Sequence, residues 1–228
     1  MIVIVVRNAW YSDERQIKDY YIDIRKLYNR LENKDIYRVN LNGNFGTSNK
    51  NYLMDLYSKG YSVIPSIDNL NDLDKLPVSN KYLLKPKESY CGVGIVEVSK
   101  NELNSKVNDE YIIQPVMSFI AEIQFYFIGT QFQYALEFKP SKVPVCPEPI
   151  EYMCNSNELE LARSFANLNN QLIGVQRVDF IKLEGGELLL SEIEDTTPRL
   201  DLKVVSKNIR KQFLYNYKNM VYNYAKNK

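Results

Sequence analysis

The chain has 228 residues, and its 29 lysines and arginines nearly balance 28 aspartates and glutamates. That length supports one large domain or two small lobes, and the balance excludes the broad positive field of a nucleic-acid binder. Histidine is absent, which removes the commonest general acid–base group and transition-metal ligand, and with them serine–histidine hydrolases and most zinc enzymes. Chemistry is left to carboxylates, lysine, arginine and a hard, oxygen-ligated cation such as magnesium. Cys91, Cys146 and Cys154 fit neither a disulfide framework nor a Cys-x-x-Cys zinc site and read as reduced thiols of a cytoplasmic protein.

In chain order, the apolar run 2–6 ends at Arg7 and Asn8, too short for a signal peptide or membrane span, and predicts a first strand. Ile17, Tyr20, Tyr21, Ile24 and Leu27 recur at helical spacing within 14–31. After a loop marked by Gly43 and Gly46, Tyr52, Leu53, Leu56 and Tyr57 predict a short amphipathic helix stopped by Gly60, and 61–65 reads as a strand. A hairpin is expected from 81 to 98 with its tip at Gly92 and Gly94, then a strand over 111–116 ending at a proline. Strands 122–128 and 132–138 turn at Gly129, a helix covers 159–168, strands 175–183 and 187–193 turn at Gly185 and Gly186, and a helix covers 209–225. The fold class is α+β, rich in antiparallel hairpins, with a lobe boundary near 108–116.

Lys85 ends a short apolar strand directly before the loop carrying Gly92 and Gly94. Such a loop can bring backbone amides to phosphate oxygens with the lysine as a fixed charge, or it can be a plain turn with a surface lysine. Arg177 and Asp179 share one strand face, as do Glu192 and Glu194 on the next strand. Where those faces coincide, three carboxylates converge and call for a divalent cation; the other reading is a solvated face with cross-strand charge pairs. Gln114, Val116 and Met117 lie where exposed backbone could pair with an adenine edge, Glu122 could accept from ribose hydroxyls, and Lys139 is either a phosphate ligand or a solubilising charge.

Taken in order, these pieces resemble the ATP-grasp superfamily, especially its carboxylate–amine ligases of glutathione synthetase type. The resemblance runs from about residue 5 to the C-terminus and is most specific over 177–200. It implies two lobes of antiparallel sheet plus helices enclosing ATP. An abbreviated N-terminal segment (1–60) would precede an N-terminal lobe with the glycine loop (61–110) and a C-terminal lobe with the metal site (111–228). It implies Lys50, Lys85 and Lys139 as phosphate ligands, Gly92 and Gly94 as the lid, Gln114, Val116 and Met117 as the adenine hinge, and Glu122 as the ribose ligand. Asp179, Glu192 and Glu194 would hold Mg2+, and Arg177, with Lys139, would act on the reacting phosphate or acyl group.

The chain departs from the family pattern in three places: little sequence precedes the region matching residues 6–10, the loop 87–94 has fewer glycines, and Glu194 stands where many relatives have asparagine. The implied activity is ATP- and magnesium-dependent joining of a small-molecule or peptide carboxylate to an amine, releasing ADP and phosphate. The rival reading is an inactive nucleotide-binding regulatory or scaffold subunit, favoured by the short N-terminus and opposed by the full acidic set. A homodimer through the edge strand at 2–6, or a partner subunit, would replace the missing N-terminal surface, with no nucleic acid and no membrane as partner.

Overall fold

The computed structural model describes residues 2–5, 36–40, 43–45, 49–88, 92–140, 148–196 and 198–227. The helix expected over 14–31 and the centre of the glycine loop, 89–91, lie outside the described residues. Strand β1 (Ile2–Val5) runs parallel to β2 (Ile36–Val39). At the end of β2 the chain turns through Asn40 at φ 71°, a left-handed conformation that asparagine tolerates better than most residues. The Asn40 amide donates to the carbonyls of Val175 (2.8 Å) and Asp195 (2.9 Å), and its Oδ1 accepts from the Val175 N–H (3.0 Å), so this strand pair is moored to the body of the protein.

Helix α1 (Asn51–Ser58) buries Tyr52, Leu53 and Leu56 and stops where Gly60 takes φ 78°. The strand expected over 61–65 does not form. Instead this stretch makes one isolated bridge to each of two sheets, Val63 to Leu190 and Ile67 to Ile113. Pro65, between the two bridges, has no N–H to donate, so a continuous ladder cannot run through it.

Strands β3 (Lys81–Pro86), β4 (Val96–Ser99) and β5 (Tyr111–Pro115) form a three-stranded antiparallel sheet in the order β4-β3-β5. Its core is modest: Ile67, Leu76, Tyr82, Leu84, Val98, Ile113 and, from the single turn α2 (Leu103–Lys106), Leu103. Strands β6 (Ala121–Ile128), β7 (Gln131–Phe138), β8 (Ile150–Glu151), β9 (Val175–Lys182) and β10 (Leu188–Glu194) form a second antiparallel sheet in the order β10-β9-β6-β7-β8. The change of sheet therefore falls between Pro115 and Ala121, a span that contains Val116 and Met117 of the stretch expected to be the hinge.

Alternation along β6 and β9 gives the larger sheet two different faces. Phe125, Phe127, Val178 and Phe180 pack with Ala162, Phe165 and Ala166 of helix α3 (Ser156–Asn169). Tyr126, Ile128 and Val175 pack instead with Phe213 of helix α4 (Lys207–Lys226). Each fully buried aromatic ring contributes roughly 1.5–3 kcal/mol, so this lobe has the deeper reserve of stability. Helix α3 starts with reciprocal capping, Asn155 Oδ1 accepting from the Glu158 N–H and the Glu158 carboxylate accepting from the Asn155 N–H, both at 3.0 Å. Both helices extend beyond their sequence-expected bounds. No helix among the described residues is long and apolar enough to cross a membrane.

Candidate active site

The acidic end of the site is created by an irregularity in β10. Leu188, Leu189 and Leu190 pair with Lys182, Ile181 and Phe180, but the next pair is Glu192 with Asp179, leaving Ser191 as an extra residue. Leu188 and Leu190 face α3, so regular alternation would send Glu192 and Glu194 into the same apolar core. The bulge reverses the phase: Ile193 enters the core, and Glu192 and Glu194 emerge beside Asp179 and Arg177 on the opposite face. Ser191 secures the irregularity by donating from Oγ to the Asp179 carbonyl at 3.0 Å.

On that face, Arg177 donates to Asp179 from Nε (2.7 and 3.0 Å) and from Nη2 (2.7 Å). Burial works against the guanidinium charge, but the Asp179 carboxylate prevails and holds the arginine well above its ordinary value. Glu192 is pushed up to about 7 by burial, with Lys50 opposing the shift and Glu194 and Asp179 adding to it. Glu194 accepts from the Thr196 N–H at 3.1 Å. Among the described residues no group of three acidic side chains is gathered closely enough to hold a metal ion by itself.

The cationic side comes from two other elements. Lys50 is the N-cap residue of α1, and its buried ammonium is lowered by desolvation while Glu192 and Glu194 raise it. A lysine at this end of a helix also faces the positive pole of the helix dipole, so its charge is doubly costly without an anion. Lys85 in β3 is likewise lowered by burial; Glu192 supports its charge, and Lys50 opposes it. Its ammonium has no hydrogen bond or ion pair to any other described residue. The backbone couples the two lysines, because the Lys50 N–H donates to the Lys87 carbonyl at 3.0 Å. Glu122, at the start of β6, is raised by burial and by Asp179, while Lys85 and Arg177 pull it down. The structure thus brings Lys50, Lys85, Glu122, Arg177, Asp179, Glu192 and Glu194 into one electrostatic neighbourhood.

The residues expected to form the hinge lie on and beside β5. Gln114 is buried; its Nε2 donates to Ser66 Oγ at 2.7 Å, and its Oε1 is a buried acceptor with no partner among the described residues. Val116 is exposed and donates its N–H to the Lys81 carbonyl at 2.9 Å, and Met117 packs against Ile64, Ile181 and Leu189. Gly92 and Gly94 form the exposed turn between β3 and β4 with φ 74° and 76°, and a Cβ at Gly94 would lie 2.9 Å from Pro86 Cγ. Lys139 is not drawn into the cluster: it lies exposed just past β7 without a hydrogen bond or ion pair to the described residues.

Sequence reasoning missed Ser191, whose role depends on register, and Tyr52, whose hydroxyl accepts the Ile193 N–H at 2.8 Å. The helical spacing of Tyr52 marked it as a core residue, and nothing local marked its oxygen. It also missed Asn169 and Gln176, buried near Asp195, where the Asn169 amide donates to Gln176 Oε1 (3.0 Å) and Asp195 Oδ2 (3.1 Å).

No protein-family model matches the chain, and no curated protein matches it in sequence. Its fold, in contrast, is similar to solved structures. D-cycloserine synthetase DcsG aligns over 96% of this chain and 84% of its own, with TM-score 0.70 and 15% identity. D-alanine–D-alanine ligase from Bacillus anthracis, complexed with ATP, aligns over 95% and 86%, with TM-score 0.60 and 16% identity. The ATP-grasp ligase PsnB, complexed with a phosphomimetic variant of its minimal precursor, Mg and ADP, aligns over 93% and 75%, with TM-score 0.64 and 11% identity. The chain has the ATP-grasp fold of these structures.

Proposed function

We propose that this protein is an ATP- and magnesium-dependent ligase that joins a carboxylate to an amine. The observation that carries the reading is the facing of two desolvated lysines, buried Lys50 and half-buried Lys85, with the Asp179, Glu192 and Glu194 carboxylates between two sheets. Lys85 has no hydrogen bond or ion pair among the described residues, and burial and Lys50 both work against its charge, which is the electrostatics of a phosphate seat. Gln114 Oε1, an unpartnered buried acceptor, fits the exocyclic amine of adenine, and Glu122 fits a ribose hydroxyl.

The oxygen donors of Asp179, Glu192 and Glu194 suit magnesium, and the lack of a closed three-carboxylate cage is compatible with it. Magnesium is commonly bound through one or two carboxylates plus substrate phosphates. When bound, it would neutralise charge on the β- and γ-phosphates. Lys50 and Lys85 would orient the triphosphate, and the turn carrying Gly92 and Gly94 would exclude water. Lys139 joins this set only through the family resemblance. A substrate carboxylate oxygen would attack the γ-phosphorus as the bond to ADP breaks. A neutral amine would then attack the acyl carbon of the acylphosphate, and phosphate would leave carrying the amine's proton. Arg177 would stabilise the acyl oxygen as charge builds there, exchanging part of its present pairing with Asp179.

DcsG and the D-alanine ligase, with small molecules in their names, and PsnB, complexed in another structure with a precursor peptide, support small-molecule and peptide carboxylates alike as substrate classes. The reading places the enzyme in the cytoplasm and includes self-association through β1, which sedimentation over a wide concentration range checks. The deciding experiment is nucleotide turnover with magnesium across pools of amino acids, small carboxylates and acidic peptides. ADP and phosphate released only with certain pools, and lost in Glu192→Gln, are the expected result. AMP and pyrophosphate would contradict the acylphosphate route, and tight ATP binding without turnover in any pool would favour a binding module.

A further inference from the structure

β10 is the outer strand of the larger sheet, so one row of its backbone groups has no partner strand. The 61–67 stretch covers part of that row: Ile64 N–H donates to the Leu190 carbonyl and Leu190 N–H to the Ser62 carbonyl, both at 2.9 Å. Beyond Leu190 this stretch leaves for the smaller sheet, where Ile67 bridges Ile113. The next outward N–H is that of Ile193, which lies between Glu192 and Glu194. It is taken by the hydroxyl of Tyr52, reaching across from α1 at 2.8 Å.

We propose that Tyr52 is a positioning residue whose hydroxyl fixes the β10 backbone between Glu192 and Glu194 and so sets both carboxylates against Lys50. Lys50 caps the helix on whose first turn Tyr52 stands, so one rigid element carries a phosphate-site cation and the buttress of the acidic strand. The ring is seated independently of its oxygen: it is buried in the main core and stacks on Phe45 with centroids 4.9 Å apart. Burial, then Glu192, raise the phenol well above its ordinary value, which keeps the hydroxyl neutral. A tyrosine buried only for its ring would need some partner for its oxygen. Here the partner is the one peptide N–H flanked by both glutamates.

This inference rests on the proposed magnesium–nucleotide site, and its test separates the two. ADP binding is titrated calorimetrically in EDTA and at rising magnesium for the wild type, Tyr52→Phe and Phe45→Leu; the last loosens the ring's seat and keeps the hydroxyl. Tyr52→Phe is expected to bind ADP normally in EDTA but to need about 3- to 10-fold more magnesium for half-maximal tightening, the equivalent of one lost hydrogen bond. Phe45→Leu should melt earlier with an unchanged magnesium midpoint. An unchanged midpoint in Tyr52→Phe, or an equal shift in both variants, overturns the proposal. A wild type whose ADP binding ignores magnesium overturns the function reading itself.

Amide exchange in the unmutated protein supplies a readout that needs no folded variant. Because coupling is reciprocal, magnesium added to the ADP-bound protein should slow exchange at Ile193 several-fold. An Ile193 amide that exchanges freely without ligand, or that does not respond to magnesium, also overturns the proposal.

Discussion

The two sheets supply opposite charges from unequally supported frames. The larger one, with α3 on one face and α4 on the other, holds Arg177, Asp179, Glu192 and Glu194 on strands rooted among Phe125, Phe127, Phe165, Phe180 and Phe213. The smaller one holds Lys85 and the glycine turn on three strands over a thin core, and Ile95 and Val96 beside the turn are exposed. Groups that repel one another and must be kept together sit where packing is deep, and groups that would close over a nucleotide sit where local opening costs least.

The largest effect should come from breaking the register of the acidic frame. Deleting Ile193, the residue that the bulge returns to the core, moves Glu194 to the core position opposite Val178, so the protein is expected to lose on the order of 3–5 kcal/mol in chemical denaturation or to fail to fold. Retention of near-native stability would mean that β10 slides to compensate and that the sheet is less rigid than argued.

Changing the cation on the lighter frame should separate binding from stability. Lys85→Met is expected to weaken magnesium–ATP binding or turnover by about 100-fold or more while leaving thermal stability equal or higher, because a desolvated charge is removed. Isothermal titration alongside thermal melting checks both halves, and a destabilised variant would show that Lys85 has a structural partner instead.

Glu192 offers a pH test on the heavier frame. Its folded value of about 7 lies above the ordinary value of 4.5, so between those values the folded protein holds more protons than the unfolded one. Stability of the ligand-free protein should therefore fall as pH rises from about 4.5 to 7, by up to about 3 kcal/mol. Glu192→Gln should flatten that slope and be the more stable form at pH 7. A slope unchanged by the substitution would assign the titration elsewhere.

The smallest effects distinguish two glycines. Gly94→Ala, forced into φ 76° and against Pro86, should cost about 1 kcal/mol and weaken nucleotide binding, whereas Gly185→Ala, with nothing within 4 Å and no positive φ, should change stability by less than about 0.5 kcal/mol. Equal effects in denaturation would remove the distinction.

The sequence by itself determined the longer strands and helices from α1 onward, because apolar residues at period two or 3.6 and glycines at turns are local signals; it did not give α2 or the two-residue β8. It also carried the residues of the proposed site as a set: no histidine, Lys85 before a glycine turn, and Arg177, Asp179, Glu192 and Glu194 on paired strands. Tertiary structure alone decided that 61–67 bridges both sheets once instead of forming a strand, since Pro65 interrupts a pairing whose partners lie far away in the chain. It alone placed Lys139 outside the described cluster and put the Tyr52 hydroxyl on the Ile193 amide. And it alone brought the glutamates to the face of Asp179: a one-residue bulge at Ser191 changes no composition and no periodicity long enough to read, yet in a strand of period two it exchanges core for site.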